Sequence, residues 1–411
     1  MKQPINTSRR VFTLSAAALA ASVGLSRIAS AQATGKPFKI GSLNSMTGLG
    51  GVYGSRMLEA IQLGVAEVNA AGGAAGRPFQ IFAEDDQTRP DTAVLAVKKL
   101  IEVNKVEAVV GVWGSSAALA ILPITNGADV ILFSCGGAPE LQTEDKRDLA
   151  WQFQSSNEIF GRAFAEIARR RGFKRPAVMA FNNSAFVGQA NNFKRSWEEG
   201  GGKVSAMVIY EPNQTTYRTE VSRVLDTKPD VISLSAYMPD ATIILKEWYQ
   251  FGQDCKFIMP GWTANEELVK ILGPEITEGL ISVTQSAAVS GPAYKRLVSS
   301  FKSATGKDID MYVSQCYDMV ITLALAIEAA GPNASTLEIN RKIRTVTNSP
   351  GTKVTSFAEG RDLLRKGIKI DYDGPSSELD FGKFGESYPA FGVMEINKGK
   401  LVPKEIIPGK I

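Results

Sequence analysis

The chain has 411 residues, with 46 Lys and Arg, 42 Asp and Glu, and no His. The absence of His excludes Ser-His-Asp and Cys-His catalysis as well as His-ligated metal sites. Four basic residues and no acidic residue lie in the first 33 positions, so the remainder carries 42 basic and 42 acidic residues. A balanced chain has no long-range field to attract nucleic acid or anionic lipid, and we expect neither as a partner.

Residues 1–33 have the pattern of an export signal. Arg9 and Arg10 precede an apolar run at 11–25, and two overlapping cleavage sites follow at Ala29-Ser30-Ala31 and Ala31-Gln32-Ala33. The paired arginines indicate a twin-arginine signal. A membrane anchor is the alternative, but about 15 mixed residues are too few to span a bilayer, which needs about 20 apolar ones. No Cys lies near the cleavage sites, which argues against a lipid anchor, so we expect a periplasmic protein.

Beyond the signal, short β-branched runs alternate with amphipathic stretches. The chain is too long for one hydrophobic core, which favours two domains. The runs predict strands at 38–43, 78–83, 106–113, 130–135, 177–181, 204–210, 231–235 and 257–259, and helices at 55–70, 91–103 and 116–126. Strands separated by helices of about 10–15 residues are parallel. Two such blocks meet near 151–155, so the predicted fold is α/β, with two doubly wound parallel-sheet lobes.

Two further segments complete the predicted fold. Residues 311–330 are mostly apolar but are interrupted by Ser314, Gln315, Asp318 and Thr322, which favours a buried helix over a membrane span. The tail at 352–400 predicts a helix and then short strands joined by Gly-rich turns.

The three cysteines, Cys135, Cys255 and Cys316, form no C-x-x-C motif, which excludes a zinc ribbon or a dithiol centre. We expect them to be small buried residues, although a pair remains possible in an oxidising compartment.

One segment resembles a dinucleotide-binding motif. Gly48, Gly50 and Gly54 lie between a predicted strand and a helix, and 84–86 is an acidic run at the end of the next strand. The G-x-G-x-x-G spacing needs Gly at position 53, where this chain has Tyr53, and the phenol ring would block a pyrophosphate. We therefore expect no nucleotide cofactor.

The order of several short motifs resembles a known family. These motifs lie at 69–78, 84–86, Pro90, 111–116, 136–141, 237–240, 372–374 and 379–381. Together they resemble the leucine/isoleucine/valine-binding proteins, which are periplasmic solute-binding proteins of ABC importers. The resemblance covers nearly all of 37–400. It implies a type I periplasmic-binding-protein fold, with two lobes joined by three crossing segments that close around a ligand. The implied lobes are 37–154 with 285–377, and 155–284 with 378–411.

Candidate binding residues lie at the ends of predicted strands. Ser115 and Ser116 open a helix whose free N–H groups and dipole favour a carboxylate. Gly136 and Gly137 end the next strand, where the missing Cβ lets a ligand approach the backbone. The same residues are common as a helix cap and a turn. They match the family's carboxylate-holding positions, which favours the binding interpretation.

The chain departs from the family at two positions that would contact the ligand. Its amino-acid binders hold the α-ammonium with a hydroxyl residue and an acidic residue, and these two positions fall on Gly137 and Trp262. A buried ammonium without acceptors is costly. Four family pocket positions instead carry rings that suit a planar or apolar body, namely Tyr53, Phe186, Tyr237 and Trp262. Asp240 or Glu266 could supply an acceptor from elsewhere.

The resemblance predicts a transport function. We expect a cofactor-free, monomeric binder of an amino acid or of a small carboxylic acid, either aromatic or otherwise apolar, with an ABC permease and ATPase as partners. Two alternatives remain from the sequence, a ligand-sensing receptor domain of the same fold and an exported cofactor-binding enzyme.

Overall fold

The computed structural model describes residues 35–285 and 291–409, so the predicted export signal lies outside the described residues. The predicted alternation of strands and helices is confirmed along the described chain. The strands are β1 Phe38–Asn44, β2 Phe79–Asp85, β3 Ala108–Val112, β4 Ile131–Ser134, β5 Ala150–Gln152, β6 Pro176–Phe181, β7 Met207–Tyr210, β8 Val231–Ser235, β9 Lys256–Pro260, β10 Ile281–Gln285, β11 Thr352–Val354, β12 Ile370–Tyr372, β13 Phe391–Asn397 and β14 Lys400–Ile407.

The helices connect these strands and cover both sheets. They are α1 Gly51–Ala70, α2 Pro90–Lys99, α3 Ser115–Gly127, α4 Glu140–Glu144, α5 Asn157–Arg170, α6 Ser184–Glu199, α7 Arg218–Leu225, α8 Met238–Phe251, α9 Glu266–Thr277, α10 Pro292–Thr305, α11 Met311–Ala330, α12 Thr336–Thr347 and α13 Phe357–Leu364.

The first sheet is parallel and has the strand order β2-β1-β3-β4-β5. Its central strands read as unbroken apolar runs because helices cover both of their faces. Every residue of β3 is buried, for example, and so is every residue of β4. The strand order reverses direction between β1 and β3, which is where open α/β sheets usually bind ligands.

The second sheet has the strand order β14-β13-β10-β9-β8-β6-β7. The five strands from β10 to β7 are parallel, and their order reverses between β6 and β8. The tail adds β13 and β14 as an antiparallel pair at the other edge. The sequence prediction of short strands in the tail is confirmed, but β11 precedes the tail's helix rather than following it, and it pairs with β12 in a small sheet of their own.

Helix α11 is the buried helix predicted from the sequence. Its length and composition would allow it to cross a membrane. However, every residue from Tyr312 to Ile327 is buried, and the helix contacts α1, α12, α13 and β3. The polar residues that interrupt its apolar run also lie inside the protein, which is the arrangement of a core helix rather than a span.

The chain passes between the two sheets three times, after β5, between β10 and α10, and between β12 and β13. The doubly wound, two-lobed fold with three crossings is therefore confirmed. Trp113, which follows β3 in the first lobe, contacts Tyr237, which follows β8 in the second, and Tyr53 of α1 contacts Trp262, which follows β9. This places the switch points of both sheets on either side of one cleft.

Candidate functional site

A direct hydrogen bond joins the two lobes at the cleft. Tyr53 lies in the first turn of α1, and its hydroxyl donates to the main-chain oxygen of Trp262 at 2.6 Å. Trp262 follows β9 in the other lobe, and both side chains are buried. Burial raises the pKa of Tyr53 well above its usual value, and nearby Asp310 raises it further. The phenol therefore stays neutral and remains a donor.

The four predicted rings belong to one aromatic cluster that spans the cleft. Trp113 lies between Tyr53 and Tyr237, with ring centroids 5.5 and 5.2 Å away. Phe186 contacts Tyr237 at 4.8 Å and is parallel to Trp262 at 6.2 Å, with an interplanar angle of 7°. Because edge and offset contacts of this kind are favourable, the rings of the two lobes pack closely against one another across the cleft.

Sequence reasoning missed two members of this cluster. Trp113 follows β3 directly, and Tyr312 in the first turn of α11 contacts Tyr53 at 5.1 Å. Tyr312 was hidden because it begins an apolar helix whose pattern predicts only a buried core. Trp113 could have been found, since it stands two positions before Ser115 at the end of a strand.

Ser115 is held at the carboxyl end of β3 as the first residue of α3. Its Oγ accepts hydrogen bonds from the N–H groups of Gly137 at 3.0 Å and Ala138 at 3.2 Å. These two donors occupy the oxygen lone pairs, so the hydroxyl proton is left to donate outward. The first N–H groups of any helix also lack partners within the helix. The side chain of Ser116 is exposed, so its contribution to a site would be its backbone N–H.

Gly136 and Gly137 lie in the loop that contacts Ser115. Their N–H groups donate to Ser134 and Ser115, so neither is left for a ligand. A Cβ at Gly137 would lie only 1.7 Å from Oδ1 of Asn157. The space that a hydroxyl residue would use is thus filled by a side-chain amide from α5. The two glycines allow this close packing and hold Ser115 in place.

The polar groups beside Gly137 are neutral amides. Asn157 receives a long hydrogen bond from Gln154 and donates one to Gln189, each at 3.4 Å. All three side chains are buried, and Oε1 of Gln154 and Nε2 of Gln189 have no partner within the described ranges 35–285 and 291–409. No pattern in the sequence predicts this cluster, because isolated Gln and Asn residues are usually exposed.

The two acidic residues suggested as ammonium acceptors differ in position, because Glu266 lines the interlobe cavity and Asp240 does not. Asp240 accepts from the hydroxyl of Tyr217 at 2.7 Å and from the N–H of Asn213 at 3.3 Å, inside the second lobe. Glu266 is exposed at the start of α9. The carboxylate found nearer to Tyr53 is Asp310, which caps α11 through the N–H of Val313. Burial raises the pKa of Asp310, although Arg56 lies 3.7 Å away and lowers it.

A cavity of about 860 Å³ lies between the lobes, next to the Tyr53–Trp262 contact. Elements of both lobes line it, including α1, α9, α11 and strands β10, β13 and β14. Tyr53 and Trp262 are part of its wall. The other six predicted residues (Ser115, Ser116, Gly136, Gly137, Phe186 and Tyr237) do not line this cavity. The aromatic cluster and this cavity, which is lined by both polar and apolar side chains, thus share Tyr53 and Trp262.

Two doubly wound lobes, joined by three crossings and meeting at a ring-lined cleft, define a two-lobed solute-binding protein. A family model described as periplasmic binding protein matches residues 37–365. The chain therefore belongs to the periplasmic binding protein family, and the resemblance found in the sequence is confirmed.

Relatives agree with this assignment over nearly their full length. A leucine-, isoleucine-, valine-, threonine- and alanine-binding protein of Pseudomonas aeruginosa is 24% identical over 346 residues, which is 84% of this chain and 92% of the relative. A leucine-binding protein from Thermotoga maritima has a TM-score of 0.77 and 23% identity, covering 90% of this chain and 98% of its own. A solute-binding protein from R. palustris, solved with benzoate, has a TM-score of 0.75 and 19% identity, covering 90% and 97%. At these identities the two structures show a shared fold.

Proposed function

We propose that this protein binds a small aromatic carboxylic acid between its lobes in the periplasm and delivers it to an ABC permease and ATPase, with no cofactor and no catalysis. The observation that carries the proposal is the aromatic cluster that spans the cleft beside the hydroxyl of Ser115. The proposed ligand contacts are Tyr53, Ser115, the N–H of Ser116, Phe186, Tyr237 and Trp262.

The carboxylate end is assigned to Ser115 on chemical grounds. A hydroxyl whose oxygen already accepts two N–H groups has its proton free for an anion. The amino end of α3 adds free N–H groups and the positive end of the helix dipole. The P. aeruginosa relative is named for amino acids and the R. palustris protein was solved with benzoate. A carboxylate is the group that these ligands share.

The rest of the ligand is assigned from the surrounding side chains. Rings from both lobes would contact both faces of a flat, apolar body. The polar groups closest to Gly137 are neutral amides, and Trp262 stands where an acidic residue would be needed. An α-ammonium bound there would lose its hydration and gain no charged partner. Burying an unpaired charge in this way costs on the order of several kcal/mol. An acid that lacks this ammonium avoids the cost.

A branched-chain amino acid is the second candidate, and Asp310 is the observation that favours it. Its Oδ2 has no hydrogen-bond partner within the described part of the chain, and it lies near Tyr53. If the ammonium reached Asp310, leucine would bind with its apolar side chain among the rings. Asp310→Asn would then abolish leucine binding while leaving benzoate binding unchanged.

A thermal-shift screen of organic acids and amino acids tests the proposal. A ligand that binds only the folded protein stabilises it by about 2.7 kcal/mol at a hundredfold excess over Kd. We expect aromatic carboxylic acids to give the largest shifts, with the matching uncharged amides as controls that give none. A tightly bound flavin or nicotinamide in the purified protein, or shifts with amides as large as with acids, would contradict the proposal.

A further inference from the structure

The cavity of about 860 Å³ is larger than one benzene ring needs, and it falls in the upper range of small-molecule pockets, about 300–1,000 Å³. Tyr53 and Trp262 form one wall of this cavity and also belong to the aromatic cluster. A ligand held at Ser115 that is longer than a single ring would reach this cavity by displacing the Tyr53–Trp262 contact.

A buried pair of glutamines lines the cavity. Gln315 on α11 donates from Nε2 to Oε1 of Gln285, at the end of β10, with a distance of 2.9 Å. Gln285 is 7% exposed and Gln315 is 1% exposed. This bond uses one donor and one acceptor of the pair. Nε2 of Gln285 and Oε1 of Gln315 have no partner among the residues that the structure describes.

The pair therefore offers one free donor and one free acceptor side by side. The result does not depend on how the amides are oriented, because flipping both groups also leaves one of each. The hydroxyl of Ser314, which lines the same cavity and is 2% exposed, also lacks a partner in the described chain. A buried polar atom without a partner is unfavourable, so a ligand group that satisfies these atoms gains affinity.

We propose that this cavity is a distal subsite for the hydrogen-bonding end of an elongated aromatic acid whose carboxylate is held at Ser115. The inference rests on the proposed function and adds the class of ligand. The distal group both donates and accepts, as a phenolic hydroxyl or a carboxamide does. The side chains of Met311, Val393 and Met394 line the same cavity and contact the apolar part that leads to this group.

Calorimetry with matched acids tests the subsite. The pairs are benzoate and 4-hydroxybenzoate, 3-phenylpropenoate and its 4-hydroxy analogue, and biphenyl-4-carboxylate and its 4′-hydroxy analogue. We expect the hydroxyl to strengthen binding about tenfold in one of the longer pairs, the usual order for a buried hydrogen bond. The shortest pair should show no gain, because its hydroxyl does not pass the wall.

The key variant carries Gln285→Leu and Gln315→Leu together. Replacing both partners of a buried hydrogen bond by apolar groups of similar shape changes the free energy of unfolding little. In this variant the hydroxyl preference should fall to within about twofold, while the unsubstituted acids keep their affinity. Ser115→Ala should weaken both members of each pair equally, and Glu198→Gln, at an exposed residue of α6 outside the cavity, should change neither.

The outcomes separate the two proposals. If the acids bind but no pair prefers the hydroxyl, or if the preference survives in the double variant, the distal subsite is wrong and the proposed function stands. If no acid of the series binds the wild-type protein, the proposed function fails and the subsite fails with it. The wild-type comparison of each pair decides the question even if the double variant does not fold.

Discussion

At the residue scale, Ser115 and Ser116 are neighbours in the chain whose hydroxyl groups differ in their contacts. The Ser115 oxygen accepts two backbone N–H groups from the loop after β4, whereas the Ser116 side chain is exposed. The sequence predicted both residues as carboxylate ligands. It could not separate them, because the difference depends on a loop more than 20 residues away in the chain.

The first prediction compares these two serines. Ser115→Ala should weaken binding of an aromatic acid by about 1–3 kcal/mol, typical of a hydrogen bond to a charged group. It should also lower the free energy of unfolding by about 1 kcal/mol, because two N–H groups lose their acceptor. Ser116→Ala, the matched control, retains its N–H and should change neither quantity. Calorimetry and urea unfolding measure the two effects. Equal affinities for the two variants would show that the Ser115 hydroxyl does not contact the ligand.

The second prediction concerns the packing of Gly137. Gly137→Ala should destabilise the fold by roughly 1–3 kcal/mol, because the new Cβ overlaps Oδ1 of Asn157. A Cβ at Gly127, near the end of α3, meets nothing within 4 Å, so Gly127→Ala should leave stability unchanged or slightly raised. Thermal unfolding of both variants tests this. If Gly137→Ala is as stable as Gly127→Ala, Asn157 does not occupy this space.

At the element scale, the strands were predictable because each central strand is a run of apolar residues with helices on both sides. The position of α11 in the core followed from its composition. The hydrogen bonds of the polar residues of α11 could not be predicted from the sequence, because their partners lie in other segments of the chain, including the C-terminal tail. Asp318, for example, accepts hydrogen bonds from the Tyr372 hydroxyl and from the N–H and hydroxyl of Ser376. This links the core helix to the third crossing segment.

The third prediction is a pH dependence at Asp318. Burial raises its pKa from 3.8 to about 7, although the bonds from Ser376 and Tyr372 act to lower it. The folded protein thus keeps this proton to a higher pH than the unfolded chain does. The stability contributed by Asp318 is full below about pH 4 and is lost as the pH rises through about 7.

Asp318→Asn removes this titration and retains a neutral group of the same shape. Relative to this variant, the wild type should lose stability between pH 5 and pH 7, with a slope of at most about 1.4 kcal/mol per pH unit. Denaturant unfolding across this range measures the difference. A difference that is constant with pH, or that grows in favour of the wild type, would show that the carboxylate is charged throughout.

At the scale of the whole molecule, the cleft forms where the switch points of the two sheets face each other. The resemblance to the family was sufficient to predict this arrangement, and with it the rings at Tyr53, Phe186, Tyr237 and Trp262. Trp113, Tyr312 and the glutamine pair were not predicted, because apolar periodicity cannot separate a cleft from a core. We propose that the lobes divide at the expected boundaries, 37–154 with 285–377 and 155–284 with 378–411.

The fourth prediction tests the bond that joins the lobes. Tyr53→Phe removes the donor to Trp262, whose main-chain oxygen still accepts from Asn265 at 3.0 Å. Stability should therefore change little. The ligand-free protein should open, with a larger radius of gyration in solution scattering, and ligand affinity should fall by roughly 0.5–1.5 kcal/mol. Tyr249→Phe, at an exposed tyrosine, is the control. An unchanged radius of gyration together with unchanged affinity would show that this bond does not hold the lobes closed.

The central claim is that the cleft binds an aromatic acid through its carboxylate and rings, with no dedicated acceptor for an ammonium. Calorimetric titration of the wild-type protein with benzoate, 3-phenylpropenoate, phenylalanine and leucine tests it most directly. A site built for a polar group discriminates strongly against ligands that lack it, and a site without such partners does not. We expect at least one plain aromatic acid to bind as tightly as leucine or more tightly. Tight binding of leucine, with no detectable binding of either plain acid, would contradict the account.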